Sequence, residues 1–442
     1  MFMEGVFMKQ QRQNEQEFAF IKEKIKDKPI NKRRLLIRAG YNILCAIIFG
    51  AVACVVFVWL RPYLDEWLYP KKESTISIPK DDAPQEEEEE AETEKREEEQ
   101  VKESPTEPES QTVVVQERLE IEDYQELQNQ LYDIGKQANK SVVTVTGVTS
   151  GIDWFDTPYE NENSAAGIVI GNSGQELLIL TEKKVIADAQ EISITFVDDT
   201  VVSASLKKYD GNTGIAVISV PLEGISEETM NQVEVASLGN SYIVQQGTIV
   251  LAIGSPLGAN YSILCGTITS SNNEVSTIDK NYTIFTTDIV GSENGSGVLI
   301  NLKGEIIGLV LQDYSSQSDR NTITALSVSE LKQVIEDLSN GRDVPYVGLR
   351  LSTVTDEIAK EYSIPKGVYI KSVELDSPAM AAGLQEADVI LTVNGEEVKT
   401  VEQYNQKIYA LNPEDPVLIT VKRQSGEEYV DLDCIVTVGV WK

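Results

Sequence analysis

The chain has 442 residues, enough for two or three domains, and a formal net charge of −33. Because binding to nucleic-acid phosphates requires a surplus of Lys and Arg, this charge argues against a nucleic-acid partner. The chain contains no histidine, and its four cysteines (Cys45, Cys54, Cys265 and Cys434) lack metal-ligand spacing, so we expect neither a metal nor a cofactor.

The first predicted element is a membrane-spanning helix at residues 39–60. This run is apolar and uncharged, and its 22 residues would form a helix about 33 Å long, enough to cross a bilayer core. Its end lacks the small-residue cleavage pattern of a signal peptide. Ten Lys and Arg precede it in residues 1–38, and far fewer follow closely. We therefore expect a single-pass protein of the cell membrane, with a basic cytoplasmic N-terminus and extracytoplasmic main domains.

Residues 61–118 are predicted to form an acidic, disordered linker. The segment contains five consecutive glutamates at 86–90 and almost no apolar residues in its central part. Such a segment cannot bury enough surface to fold, and its like charges extend it. A weakly cation-binding tether and a partly helical stalk are the alternatives.

An amphipathic helix pattern covers residues 119–138, and after it the apolar period changes to alternation. Many short strand-like runs follow, separated by Gly, Asn and Asp. This pattern predicts an antiparallel β-barrel or a pair of sandwiches. The predicted domain extends over residues 119–340.

Several ordered motifs in this domain closely resemble HtrA/DegP-type serine proteases. They are Ser-Ala-Ala-Gly-Ile-Val-Ile at 164–170, Ile-Leu-Thr-Glu-Lys-Lys-Val-Ile at 179–186, Ala-Ile-Gly-Ser-Pro-Leu-Gly at 252–258, Cys-Gly-Thr-Ile at 265–268 and Asn-Gly-Ser-Gly-Val-Leu-Ile-Asn at 294–301. The resemblance implies a mostly β fold, namely a trypsin-like double β-barrel. It also implies a Ser-His-Asp triad in the family's active members.

The family triad does not carry over to this chain. The histidine, aspartate and serine positions fall on Lys184, Gly214 and Gly295, and Glu293 stands where a glycine would support the oxyanion hole. We therefore expect a pseudoprotease, that is, a protein that keeps the protease fold but is not an enzyme. The alternative is a serine endopeptidase in which Ser296 and Lys184 form a Ser-Lys dyad. Otherwise Ser296 is a turn residue, and Lys184 is solvated or ion-paired.

Residues 343–442 resemble a PDZ domain of the HtrA type. The motifs are Tyr-Val-Gly-Leu at 346–349, Ser-Pro-Ala-Met-Ala-Ala-Gly-Leu at 377–384 and Asp-Val-Ile-Leu-Thr-Val-Asn-Gly at 388–395. The resemblance implies a groove in which a peptide adds as a strand and backbone N–H groups hold its C-terminal carboxylate. The expected peptide-binding residues are Tyr346, Val347, Gly348, Leu349, Leu351, Tyr404 and Ile408. Alternatively, the groove is filled from within the chain or packs on the preceding domain.

The sequence thus predicts a membrane-anchored scaffold that acts in protein quality control. Its expected partners are protein C-termini and unfolded segments, which it would bind through the PDZ and protease-like domains. The resemblance also implies a homotrimer as the expected assembly.

Overall fold

The computed structural model describes residues 48–50, 52, 56, 75–82, 120–152, 158–315, 320–426 and 428–441. Most of the predicted span 39–60 and of the predicted linker 61–118 therefore lies outside the described residues. Within the described part of the chain, no helix is long and apolar enough to cross a membrane.

Six strands form the first β-barrel: β1 (Val142–Ile152), β2 (Pro158–Asn172), β3 (Glu176–Glu182), β4 (Glu191–Thr195), β5 (Val201–Tyr209) and β6 (Ile215–Pro221). The barrel is closed, all its pairings are antiparallel, and the strand order is β1-β2-β3-β6-β5-β4. Val and Ile dominate the buried positions, because branched side chains pack well on a pleated surface.

Six further strands close the second barrel: β7 (Ile249–Ser255), β8 (Ser262–Ser276), β9 (Asn281–Val290), β10 (Ser296–Ile300), β11 (Ile306–Leu311) and β12 (Thr322–Ser327). Their order is β10-β11-β12-β9-β8-β7. Strands β8 and β9 form a long hairpin whose turn lies at residues 277–280. This turn contains Asp279, whose N–H donates to the Leu349 carbonyl of the C-terminal domain.

The described residues of the C-terminal domain form eight strands: β13 (Pro345–Tyr346), β14 (Leu349–Thr353), β15 (Val368–Val373), β16 (Val389–Val393), β17 (Glu396–Glu397), β18 (Pro416–Ser425), β19 (Glu428–Thr437) and β20 (Gly439–Val440). Its main sheet has the order β14-β15-β16-β18-β19, and the short β17 pairs with β16. Strands β13 and β20 pair separately. The domain has a hydrophobic core of its own, built from both its sheet and its helices.

Seven α-helices connect or flank these sheets in the part of the chain that the structure describes. They are α1 (Ile121–Ala138), α2 (Lys183–Ile186), α3 (Glu227–Met230), α4 (Val328–Ser339), α5 (Asp356–Tyr362), α6 (Pro378–Ala381) and α7 (Val401–Ile408). Helix α4 buries one apolar face in the core that joins the two barrels. The short α6 begins with a Ser377 cap and Pro378 at its first turn, as the sequence predicts.

An extended segment at residues 75–82, which we call the N-terminal strap, lies against helix α4. Ile78 is buried, and Ile76 packs against the same core. The Ile76 backbone exchanges hydrogen bonds with the Asn340 side chain, at 2.8 Å and 2.7 Å. The Asp81 carboxylate lies 2.7 Å from Nζ of Lys332. This segment falls inside the predicted linker and contacts the barrel domain through Ile76, Ile78 and Asp81.

The architecture predicted from sequence is confirmed for the described residues: a mostly β chain with two closed six-stranded barrels, followed by a separate β-sheet domain. The predicted amphipathic helix before the first barrel is also present, since α1 begins at Ile121.

Candidate functional site

Lys184, at the position of the family histidine, lies in the one-turn helix α2 directly after strand β3. Its Nζ is 2.6 Å from Oε2 of Glu182 and 3.8 Å from Oδ1 of Asp313. Burial raises the pKa of Glu182, and the hydrogen bond to Lys184 opposes that rise. The Lys184 side chain is therefore ion-paired with two carboxylates, of which Glu182 is the nearer.

Gly214, at the position of the family aspartate, ends a tight turn. Its N–H donates to the Asp210 carbonyl at 3.1 Å, and its own carbonyl accepts from the Lys183 N–H at 2.7 Å. Its φ of +73° lies in the left-handed region, which favours glycine. The Asp210 carboxylate stabilises the turn by accepting from Thr213 and from the Asn212 N–H.

Gly295, at the position of the family serine, lies in a loop that is folded back on itself. Its N–H donates to the Ser292 carbonyl at 2.7 Å. A Cβ at this position would lie 2.6 Å from the Pro256 carbonyl oxygen and 2.9 Å from that of Ser292. The Glu293 carboxylate pairs with Arg320 at 3.5 Å. A serine at 295 therefore requires the loop to move.

Ser296 is the first residue of strand β10, and its side chain points into the protein. It is 2% exposed, and its Oγ accepts a hydrogen bond from the Ala166 N–H at 2.9 Å. Lys184 pairs with Glu182 instead. The structure therefore gives Ser296 and Lys184 different partners and does not join them in a dyad. Because the chain has no histidine, hydrolysis would need a base other than imidazole.

The predicted carboxylate-binding loop, in contrast, is fully assembled. Three consecutive backbone N–H groups converge on the carboxylate of Asp279. The distances are 2.7 Å from Val347, 3.0 and 2.9 Å from Gly348, and 2.9 Å from Leu349. Gly348 has a φ of +96°, and a Cβ there would overlap with Ser377. Only glycine fits this close approach.

Asp279 comes from the turn between β8 and β9 and is 5% exposed. Its N–H also donates to the Leu349 carbonyl at 2.5 Å. Burial raises the pKa of Asp279 to about 6, although the three N–H donors act in the opposite direction. Burial also raises the pKa of Tyr346, and Asp279 adds to that rise.

The remaining predicted groove residues lie beneath this loop. Leu349, Leu351, Tyr404 and Ile408 are each no more than 1% exposed and belong to the hydrophobic core of the PDZ domain. Tyr404 and Ile408 lie on helix α7 and Leu351 lies on strand β14, so these side chains pack the helix against the sheet. Their predicted role as pocket residues stays a prediction.

Asp279 was not among the residues predicted for this site. The residue lies in a different domain from the loop, 69 positions before Gly348. Its only local signal is an acidic residue at a hairpin turn, which is common for conformational reasons alone.

Two family models match the chain in the order that the fold shows. The first, described as a trypsin-like peptidase domain, matches residues 165–309, and the second, described as a PDZ domain, matches residues 345–434. The Synechocystis protein HhoB, a serine protease by name, is 29% identical over 279 residues, covering 59% of this chain and 64% of the relative. The serine protease Do-like HtrB of Bacillus subtilis is 26% identical over 280 residues, covering 59% of each. The chain is HtrA/DegP-like.

A DegP-like protein of Hahella chejuensis, a periplasmic serine endoprotease by name, is 27% identical to the HtrA-like chain over 289 residues, covering 64% of the chain and 58% of the relative. The chain thus spans less than two thirds of the length of these relatives. The solved structure of the HtrA-type protease AlgW with a decapeptide has a TM-score of 0.52 at 19% identity, covering 71% of this chain and 99% of that one. This likeness supports the fold.

The names of these relatives contradict the prediction that the chain is no enzyme. They are serine proteases by name and point to an enzyme of that class. The prediction was wrong: it rested on the loss of the Ser-His-Asp triad and kept hydrolysis through Ser296 and Lys184 only as the alternative. The absence of histidine from the sequence excludes a mechanism that uses the chain's own imidazole, which is a narrower conclusion than the loss of all hydrolysis.

Proposed function

We propose that this HtrA-like protein binds the C-termini and unfolded segments of other proteins through its PDZ domain. The observation that carries the proposal is the loop at Val347, Gly348 and Leu349, whose three N–H groups point at one carboxylate. Neutral donors in a buried loop favour an anion at this place. A C-terminal carboxylate supplies that anion at the end of a strand.

The proposed setting is the outer side of the cell membrane, with residues 39–60 as the anchor. The uncharged run and the basic residues before it support this setting. A homotrimer is the proposed assembly. The apolar side chains of Ile121 and Tyr124 on helix α1, 83% and 64% exposed, are consistent with a further contact there.

Fluorescence polarisation tests C-terminal binding directly. The full-length protein is titrated against a fluorescein-labelled ten-residue peptide that ends in valine, with either a free or an amidated C-terminus. Hydrogen bonds to a charged group contribute about 1.5–3 kcal/mol, so amidation is expected to weaken binding about tenfold or more. Measurable binding of both peptides with equal affinity would reject recognition of the C-terminus.

Serine-type proteolysis is the second candidate function, and the names of the relatives favour it. Cleavage of casein measures this proteolysis, and labelling with a fluorophosphonate probe tests whether a reactive serine is responsible for it. The buried Oγ of Ser296 predicts that the probe does not label this residue in the folded protein. Labelling that disappears in Ser296→Ala would instead establish the Ser296-dependent route.

A further inference from the structure

The turn at residues 277–280 presents Asp279 to the PDZ domain in the manner of a bound C-terminal residue. The Asp279 carboxylate accepts from the loop N–H groups, and its backbone N–H donates to the Leu349 carbonyl. A peptide that adds as a strand uses the same two kinds of contact: its carboxylate on the loop and its backbone on the strand. Both sets of groups are already in use.

The turn is held on its barrel side as well. The Asn212 side chain donates to the Ile278 carbonyl at 2.8 Å and accepts from the Ile278 N–H at 3.1 Å. Lys280 donates to the Glu330 carbonyl at 2.6 Å. Asp279 itself has a φ of +59°, which aspartate tolerates better than most residues. The barrel domain thus fixes the carboxylate where the PDZ loop needs it.

The PDZ domain contributes a further clamp. The Arg350 guanidinium donates from Nη1 to the Ser276 carbonyl at 3.0 Å, and from Nε to Glu374 at 3.0 Å. The contacts to Ser276, Ile278, Asp279 and Lys280 surround the turn from both domains. An incoming peptide cannot share this space, because the same three N–H groups cannot serve two carboxylates.

We propose that Asp279 is a built-in ligand of the PDZ carboxylate site, so that a partner's C-terminus binds only after the turn at 277–280 has left it. This inference rests on the proposed function and names how that site is regulated. The measured affinity for a peptide is then reduced by the fraction of molecules in which the site is free.

The sharpest test replaces Asp279 with glycine, which removes the carboxylate and fits the left-handed backbone. The matched control is Asp199→Gly, because Asp199 has a φ of +63° in a turn of the first barrel. Full-length variants are titrated with the fluorescein-labelled peptide that ends in valine. We expect Asp279→Gly to bind it about tenfold or more tightly than the unmodified protein, and Asp199→Gly to bind it equally.

Two further variants separate the carboxylate from the conformation of the turn. Asp279→Asn keeps the size of the side chain but removes its charge, and it should also increase affinity. Asn212→Ala frees Ile278 without touching the PDZ loop, and it should increase affinity by a smaller factor. Unchanged circular dichroism spectra would show that each variant is folded.

A second measurement does not need a peptide. Amide hydrogen exchange at Val347, Gly348 and Leu349 should be slow in the unmodified protein and faster in Asp279→Gly, with no change in Asp199→Gly.

Different results would reject C-terminal binding and occupation of the site by Asp279. If the unmodified protein and Asp279→Gly bind the free peptide equally well, and exchange at the loop is unchanged, Asp279 is not the ligand of the site and the proposed function stands. If no variant binds the free peptide more tightly than the amidated one, C-terminal binding is rejected. Competition between Asp279 and a peptide carboxylate is then rejected as well.

Discussion

At the scale of single residues, Asp279 is subject to two opposing effects. Burial raises its pKa to about 6 from the ordinary 3.8, Glu374 adds to the rise, and the loop N–H groups oppose it. Burial lowers the pKa of the neighbouring Lys280 to about 8, so that group stays charged below neutral pH. Burial raises the pKa of Tyr346, Tyr404 and Tyr409, and the charge of Asp279 raises it further, so these tyrosines stay neutral up to neutral pH.

The contribution of Asp279 to stability should therefore decrease as the pH rises from about 4 to 6. A raised pKa means that the folded state binds the proton more tightly than the unfolded state, so acid favours folding at this group. We expect the melting temperature of the unmodified protein, relative to that of Asp279→Asn, to be higher at pH 4.5 than at pH 7. The opposite sign would show that the N–H donors outweigh burial and hold the pKa below its ordinary value.

Gly348 is the residue that lets the loop approach its ligand. Its φ is +96°, and a Cβ would overlap with Ser377. Gly383 has a φ of +84° but open space around it, so Gly383→Ala measures the backbone effect alone. We expect Gly348→Ala to lower the free energy of unfolding by about 1–3 kcal/mol more than Gly383→Ala does. Urea denaturation of the two variants checks this, and equal losses would mean that the loop can widen freely.

At the scale of elements, the N-terminal strap shows how a short segment that precedes both domains in sequence can pack against the barrel domain. Ile76 and Ile78 alternate with polar residues, which is the period of a strand. The Lys332 side chain is only 4% exposed and pairs with Asp81. Composition predicted a solvated linker here, because a run of glutamates dominates the average over 61–118 and hides the short alternating pattern.

Removing the Asp81 carboxylate should destabilise the barrel domain, because it leaves the Lys332 ammonium buried without its partner. We expect Asp81→Ala to cost about 3 kcal/mol, and Asp82→Ala, at an exposed neighbouring position, to have little effect. Thermal unfolding followed by circular dichroism measures both. Equal melting temperatures for the two variants would mean that the strap does not hold helix α4 in solution.

At the scale of the whole molecule, the two barrels and the PDZ domain could be predicted because their motifs are local. The Tyr346–Leu349 loop, Gly348 included, was predicted in the same way. The partner of that loop could not be predicted, because Asp279 reaches it only through the packing of two domains. The partner of Ser296 could not be predicted either. Its sequence neighbourhood resembles a nucleophile loop, but its Oγ accepts a hydrogen bond from the Ala166 N–H in the other barrel.

If Asp279 competes from the barrel domain, separating the two domains should free the carboxylate site. Residues 343–442 have a hydrophobic core of their own, so we expect this fragment to fold alone. The fragment lacks the Lys208–Asp343 ion pair, whose atoms are 2.7 Å apart. Because both side chains are partly exposed, we expect this loss to have little effect on stability. We expect the fragment to bind the free-carboxylate peptide about tenfold or more tightly than the full-length protein, and about as tightly as full-length Asp279→Gly. A folded fragment that binds no better than the full chain would show that the barrel domain does not restrict the PDZ groove.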